Sequence, residues 1–137
     1  MAKVEALVLC RFAEVHGGLL TVASGGITRA FAPELPTVVN PLHVAAMLYI
    51  EPGEIGHVFE IRVNLKMVDT ATKIAEIVGG VQLAAAEAMP GEGLHVPVAL
   101  NLSMVLFESY GQVDVQCLLD NQVGADVSFW IVEQPPS

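Results

Sequence analysis

Four histidines, two cysteines and a scatter of carboxylates are the side chains of this sequence that could do chemistry. His16, His43, His57 and His95 would suit a metal site in a small β-barrel. Two metal-binding histidines on one strand need a His-x-His spacing to reach the same face, and no pair has it. Cys10 and Cys117 fall on alternating apolar runs: Val4, Ala6, Val8, Cys10 and Phe12, and Val113, Val115, Cys117 and Leu119. That phase reads as two buried thiols acting as small apolar residues. A nucleophilic thiol would need a histidine or a helix N-terminus beside it, and neither is indicated. Asp69, Glu92 and Asp120 fall in expected loops, but without the Asp-x-Asp spacing of a calcium site. Asp114 and Asp126 take outward strand positions. Glu60 and Glu76 are the best paired carboxylates for glycoside hydrolysis, yet aromatics are only 6% of the chain, too few to line a sugar site. Gly-x-Ser-x-Gly is absent, and no Gly-Lys-Ser or Gly-Lys-Thr follows Gly25-Gly26. These residues therefore lead to no catalytic group, no metal ligand set and no cofactor.

The elements that would position them are strands. Phe59, Ile61, Val63, Leu65 and Met67 alternate with Glu60, Arg62, Asn64 and Lys66, the period of an extended chain with one dry face. The pattern recurs between Gly- and Pro-rich turns. It predicts about eight strands: Lys3 to Ala13, Leu19 to Ser24 with a short continuation over Ile27 to Phe31, Leu42 to Glu51, His57 to Met67, Lys73 to Ala85, Leu94 to Phe107, Val113 to Leu119, and Ala125 to Val132. Residues 84–88 could instead form a helical turn. Leu42–Glu51 and His57–Met67 form an expected hairpin, pairing Ile50 with Phe59 and Leu48 with Ile61 so that every apolar partner shares a face. Gly79-Gly80 predicts a bulge or a bend. Val96 through Leu106 makes one apolar phase, and Pro97 on the other marks an edge strand or a bulge. The last two strands pair Val113 with Ile131, Val115 with Phe129 and Cys117 with Val127, with Asp120 to Gly124 closing the loop. Strands at this spacing imply one all-β domain over residues 1–133, a single sandwich of mainly antiparallel strands with an immunoglobulin-like or jelly-roll layout. Residues 134–137 are an expected flexible tail.

Composition narrows the partners. The chain has 137 residues, 53% hydrophobic, enough for one domain with a full core. A net charge of −9 with six dispersed basic residues argues against nucleic acid and against an anionic membrane surface. No apolar segment approaches a membrane span. Ala6 to Cys10 is too short and wrongly composed for a signal sequence, so a cytoplasmic location with reduced cysteines is expected.

Three stretches carry a resemblance. Lys3 to Cys10, Gly18 to Val22 running into Gly25 to Arg29, and His95 to Leu102 resemble a small bacterial family known only as a domain of unknown function. Tyr110 to Asn121 is similar to the closing strands of immunoglobulin-like modules. The resemblance implies a β-sandwich and carries no activity and no site residues.

The outward phases are the more informative surface. Trp130 and Val132 hold the wet phase of the last strand, and Met47 and Tyr49 that of the third. Apolar residues on wet phases mark interfaces. The leading expectation is a non-enzymatic cytoplasmic binding or protein-interaction module that self-associates, its interface drawn from Trp130, Tyr49, Met47 and Val132. The alternative is a small-molecule-binding protein or enzyme with a cleft near residues 25–40, where Arg29 is the obvious anion contact.

Overall fold

The computed structural model describes residues 2–82 and 88–134, and in them the alternating pattern becomes eleven strands. In chain order they are β1 (Lys3–His16), β2 (Leu19–Gly25), β3 (Arg29–Ala32), β4 (Thr37–Val38), β5 (His43–Ile50), β6 (Val58–Met67), β7 (Lys73–Gln82), β8 (Leu94–Asn101), β9 (Leu106–Phe107), β10 (Gly111–Leu119) and β11 (Gln122–Glu133). The chain is all-β. Eleven replace the expected eight because β3, β4 and β9 have four, two and two residues, too few to show a period. The expected helical turn at 84–88 and the tail at 134–137 lie almost wholly outside the described residues.

The strands make three sheets: β2-β1-β5-β8, β3-β11-β10-β6-β7, and the small pair β4-β9. Pairing is antiparallel throughout, except that β3 runs parallel to β11. The segment after β2 thus crosses to the other sheet rather than continuing β2.

The expected β5–β6 hairpin does not form. β5 pairs with β1 and β8, and β6 with β10 and β7. Two apolar stripes can match side by side in one sheet or face to face across a core, and periodicity is the same for both. Here the chain turns through Pro52–Glu54, a single 3-10 turn with proline at its start, and enters the other sheet. Val44, Leu48 and Ile50 of β5 then share one buried cluster with Phe59, Ile61, Val63 and Leu65 of β6.

The β10–β11 hairpin forms with a register two residues from the expected one: Val113 faces Phe129, Val115 faces Val127 and Cys117 faces Ala125. An even shift leaves the buried face unchanged. The cause is a tighter turn. Asp120 and Asn121 both take positive φ, at 48° and 66°, as a two-residue type I′ hairpin requires. The surplus residue is absorbed by a register shift after Cys117, beside Gly124. A side chain at Gly124 would collide with Val4 of β1, so glycine lets the two sheets approach there. Asp120 also ties the turn to β6, its carboxylate accepting the Glu60 N–H at 2.8 Å.

Two further expectations are corrected. The β6–β7 ladder runs unbroken through Gly79-Gly80, and its irregularity sits at Leu65/Lys66 instead. The long strand expected over Leu94 to Phe107 stops at Asn101, where Leu102 N–H donates to the Leu42 carbonyl at 2.8 Å and Ser103 Oγ accepts from Leu42 N–H at 3.0 Å. Met104 is then 85% exposed rather than part of an apolar stripe. Pro97 does lie on an edge strand, β8.

The buried faces of both larger sheets supply one apolar cluster in which Leu65, Phe107, Val113, Val115 and Phe129 are fully buried. Phe107 meets Phe129 edge-on, centroids 5.9 Å apart at 90°, an orientation that places a positive ring edge against a negative face. Phe129→Ala should cost about 3–5 kcal/mol of folding stability, from lost transfer energy and the cavity left behind. Urea denaturation followed by circular dichroism checks this; a loss below about 1 kcal/mol would mean that Phe129 is not central to the core.

Candidate functional site

The outer face of the four-stranded sheet is built from small and apolar residues. β1 turns Ala6, Val8, Cys10 and Phe12 to this side, β5 His43, Ala45, Met47 and Tyr49, and β8 His95, Pro97 and Ala99. The register aligns them in rows, Cys10 with His43 and Asn101, Val8 with Ala45 and Ala99, and Ala6 with Met47 and Pro97. Gly25 on β2 faces Cys10, and a Cβ there would press Val8 at 3.1 Å.

Cys10 therefore does not point where its apolar run suggests. A register shift between Val4 and Ala6 inserts Glu5 as an extra residue. Val4, Leu7 and Leu9 pack on the main core, while Val8 and Cys10 join a second cluster with Ala13, Leu20, Ala45 and Ala99. Ala6 to Cys10 is apolar on both phases, because both faces of β1 lie against apolar neighbours there.

Polar groups rim the face at its two ends. At one end His95 contacts Glu5 Oε1 at 2.6 Å and packs on Tyr49 with centroids 5.0 Å apart; Lys3 sits 5.7 Å over the Tyr49 ring. Gly93 is required beneath that tyrosine, since a Cβ would collide with the phenol. At the other end Phe12 packs on His43, centroids 5.5 Å apart, and His43 Nδ1 lies 3.0 Å from the Arg11 carbonyl.

The outer face of the five-stranded sheet is charged at its centre and carries exposed Trp130, Phe31 and Val78 on β11, β3 and β7. Glu60, Arg62, Asn64 and Lys66 of β6 stand beside Asp114 and Gln116 of β10 and Asp126 and Ser128 of β11. Arg62 bridges Glu60, at 2.9 Å, and Glu76, which also pairs with Lys73. The two carboxylates weighed as a glycosidase pair are thus held by cations.

A family model described as a family of unknown function (DUF6941) matches residues 5–132. The chain belongs to that family. No curated protein matches this DUF6941 chain. Among solved structures it is similar to the Pseudomonas fluorescens alkylpurine DNA glycosylase AlkC bound to DNA containing an abasic site analog. That likeness has 11% identity and a TM-score of 0.50, and covers 96% of this chain but 30% of the other. It concerns the fold alone.

The DUF6941 chain disperses the other candidate groups. His57 pairs with Asp120 at 3.3 Å, remote in sequence from the contacts of His43 and His95, and no cluster of three metal-binding side chains occurs among the described residues. Cys10 and Cys117 are free thiols in different clusters, each pushed up from the ordinary thiol pKa by burial. Arg29 is exposed on β3, opposite Trp130. The four residues expected to form one interface divide between two surfaces: Met47 and Tyr49 lie on the four-stranded sheet, Trp130 and Val132 on the five-stranded one, beside Phe31 of β3. A depression of about 430 Å³ is lined by Met67, Thr70, Lys73, Leu106 and Glu108 among others, none of them from 25–40. No helix of the described residues is long and apolar enough to cross a membrane.

Asp114 holds a proton more readily than an ordinary carboxylate, first because it is desolvated and then because Asp126 adds a like charge and a hydrogen bond. Its folded pKa thus lies above its unfolded one, so the native state binds the extra proton between the two values and stability falls as pH rises through that window. Asp114→Asn should raise the melting temperature at pH 7 and lose that advantage below the ordinary carboxylate range. Thermal unfolding of both proteins across pH 3–7 reads the difference, and an equal gain at both ends would dismiss the titration as its cause.

Proposed function

We propose that this chain is a non-enzymatic protein-interaction module, a single β-sandwich of immunoglobulin-like or jelly-roll layout, that self-associates through the outer face of β2-β1-β5-β8. The single sandwich is supported by the shared core of the two larger sheets. A cytoplasmic, reducing location is supported by two buried thiols left unpaired. The observation that carries the reading is the contrast between the outer faces. One bears a lattice of ions and amides at its centre, with Trp130, Phe31 and Val78 exposed towards its two sides; the other presents Ala6, Val8, Met47, Tyr49, Pro97 and Ala99 over a floor of Cys10 and Ala45. A sheet with two apolar faces has a use for both. Its small side chains also make the face flat, which suits sheet-on-sheet packing. The net charge of −9 favours such a partner over a polyphosphate.

Met47→Asp and Ala6→Glu should each weaken self-association at least tenfold while leaving the far-ultraviolet circular dichroism unchanged, because both place a charge on the face and not in the main core. Trp130→Asp, on the other sheet, should leave it intact. Sedimentation velocity over a concentration series measures all three. Dissociation by Trp130→Asp alone would move the interface to the five-stranded sheet.

A further inference from the structure

The Cys10 corner of this face is covered within the chain, and the cover is the chain's own hairpin. Resting on the self-association proposed above, we propose that two copies associate by exchanging the tip of the β1–β2 hairpin, residues 12–23, so that each tip lies on the Cys10 and Ala45 floor of its mate.

Cys10 and Ala45 point outward from their sheet, yet both are fully buried. Among the described residues, Ala13 of β1 is buried with them, and Leu20 of β2 packs on that cluster as Val8 and Ala99 do. Cα atoms of β2 come within 8 Å of those of β8, although β1 and β5 separate the two strands in the sheet. A flat sheet would hold them about 14 Å apart, at about 4.8 Å per strand. The tip therefore curls over the outer face instead of extending the sheet. Ala6 is left exposed, and Met47 and Pro97 are half-buried.

The tip is a unit of its own with a defined base. The ladder of β1 with β5 stops at Cys10 and His43, so residues 12–16 pair with β2 alone. Gly17 and Gly18, at φ 59° and 75°, close that pair as a two-residue type I′ turn, whose twist matches its strands. At the base, Arg11 and Ser24 drop out of the register between the Cys10–Gly25 and Phe12–Ala23 pairs. Ser24 takes a φ of 55°, and Gly26 follows at 87°. A hinge is a few such residues that absorb a change in backbone angles. The sheet side of the base is anchored: the Arg11 carbonyl lies 3.0 Å from His43 Nδ1, and the Arg11 guanidinium donates to the Pro41 carbonyl at 3.4 Å.

The tip is held to its own floor by little. Ala13 is buried and Leu20 partly so, while Phe12, Val15, Leu19 and Val22 stay exposed. Every contact that the tip makes on its own floor exists unchanged on the floor of a second copy, so exchange needs no new complementary surface. The meeting faces then cover apolar rows that a lone chain leaves open, which favours the pair. Reach is sufficient. The six residues from Phe12 to Gly17 span roughly 20 Å at about 3.3 Å each, and sheets packed face to face lie about 10 Å apart.

The test puts one thiol on the tip and one on the floor: Leu20→Cys with Ala99→Cys, in a chain whose native thiols are replaced by Cys10→Ala and Cys117→Ala. Monomer and dimer are separated by size exclusion, treated with a short bis-maleimide and run on a denaturing gel. The monomer should give a single-chain product, and the dimer mostly a product of twice the chain mass. A dimer that gives the single-chain product alone overturns the exchange and leaves self-association standing. Where these substitutions prevent folding or assembly, the unsubstituted chain decides. In a dimer refolded from equal parts of isotope-labelled and unlabelled chains, filtered nuclear Overhauser spectra should connect the Leu20 methyls of one chain with the Ala45 methyl of the other. Contacts confined to single chains overturn the exchange in the same way. A wild-type chain that stays monomeric at every concentration in sedimentation velocity overturns the self-association reading and the exchange with it.

Discussion

Everything in this molecule depends on where β5 and β6 are sent. Each carries an apolar stripe that water disfavours, and each stripe can leave water only by meeting another. Had they paired as neighbours, both stripes would have lined one face of one sheet and still needed a cover. Sending the chain through Pro52–Glu54 into a different sheet makes each stripe the cover of the other. The remaining strands follow. β10 must lie beside β6 with Val113, Val115 and Cys117 inward, and β1 beside β5 with Leu7 and Leu9 inward. Tightness at Gly124, where a side chain would strike Val4, shows how closely the first and last strands approach across that core.

Strand identity was legible in the sequence because period two is a local property. The inward residues of β6 and β10 were correctly read from single stretches of ten residues or fewer. Sheet membership was not legible, since periodicity says which face is dry and nothing about what dries it. The same limit explains Cys10. Ala6 to Cys10 is apolar in both phases, so a bulge at one residue decides which phase faces the core, and Glu5 leaves no periodic trace of being that residue. The β10–β11 turn failed for a smaller reason: Gly124 reads as the end of a loop, whereas it serves as a packing glycine inside a strand. As for the candidate site, Met47 and Tyr49 were visible as apolar residues on a wet phase. Ala99 was visible in the same way, but their companions Ala6, Val8 and Ala45 were not, because a small residue on a strand is equally at home on either face.

That ambiguity is itself informative about the surface. A face made mainly of alanine, valine, proline and thiol has little relief, and much of its area lies in floor residues such as Ala45 that are already shielded from water by their neighbours. Its apolar character is therefore understated by residue exposure and shows only when the rows are assembled across β1, β5 and β8. The five-stranded sheet spends its outer positions otherwise. Arg62 there is fixed between Glu60 and Glu76, an arrangement suited to remaining in water, where screened ion pairs of this kind add about 0–1 kcal/mol each. The two sheets thus solve the problem of the outer face in contrary ways.

The sheet edges explain why association would use a face rather than strand addition. A long, flat free edge invites another strand, and natural sheets blunt it. Here β3 offers only four residues. β8 carries Pro97, which suits an edge because its missing N–H need not be paired there. β2 ends in Ser24 and Gly25 and is followed by Gly26, with Ser24 at a φ of 55° and Gly26 at 87°, so the backbone twists out of a regular ladder there. β7 is the longest free edge, and its Gly79-Gly80 weakens any ladder it could template. Edge pairing is discouraged on every side of both larger sheets. The face of β1, β5 and β8 has no comparable protection: its rim groups, Glu5 with His95 and His43 with the Arg11 carbonyl, are engaged with each other and with the backbone, leaving the apolar rows between them uncovered. Association through such a face about a two-fold axis would end after one partner, the geometry of a closed pair rather than a fibre.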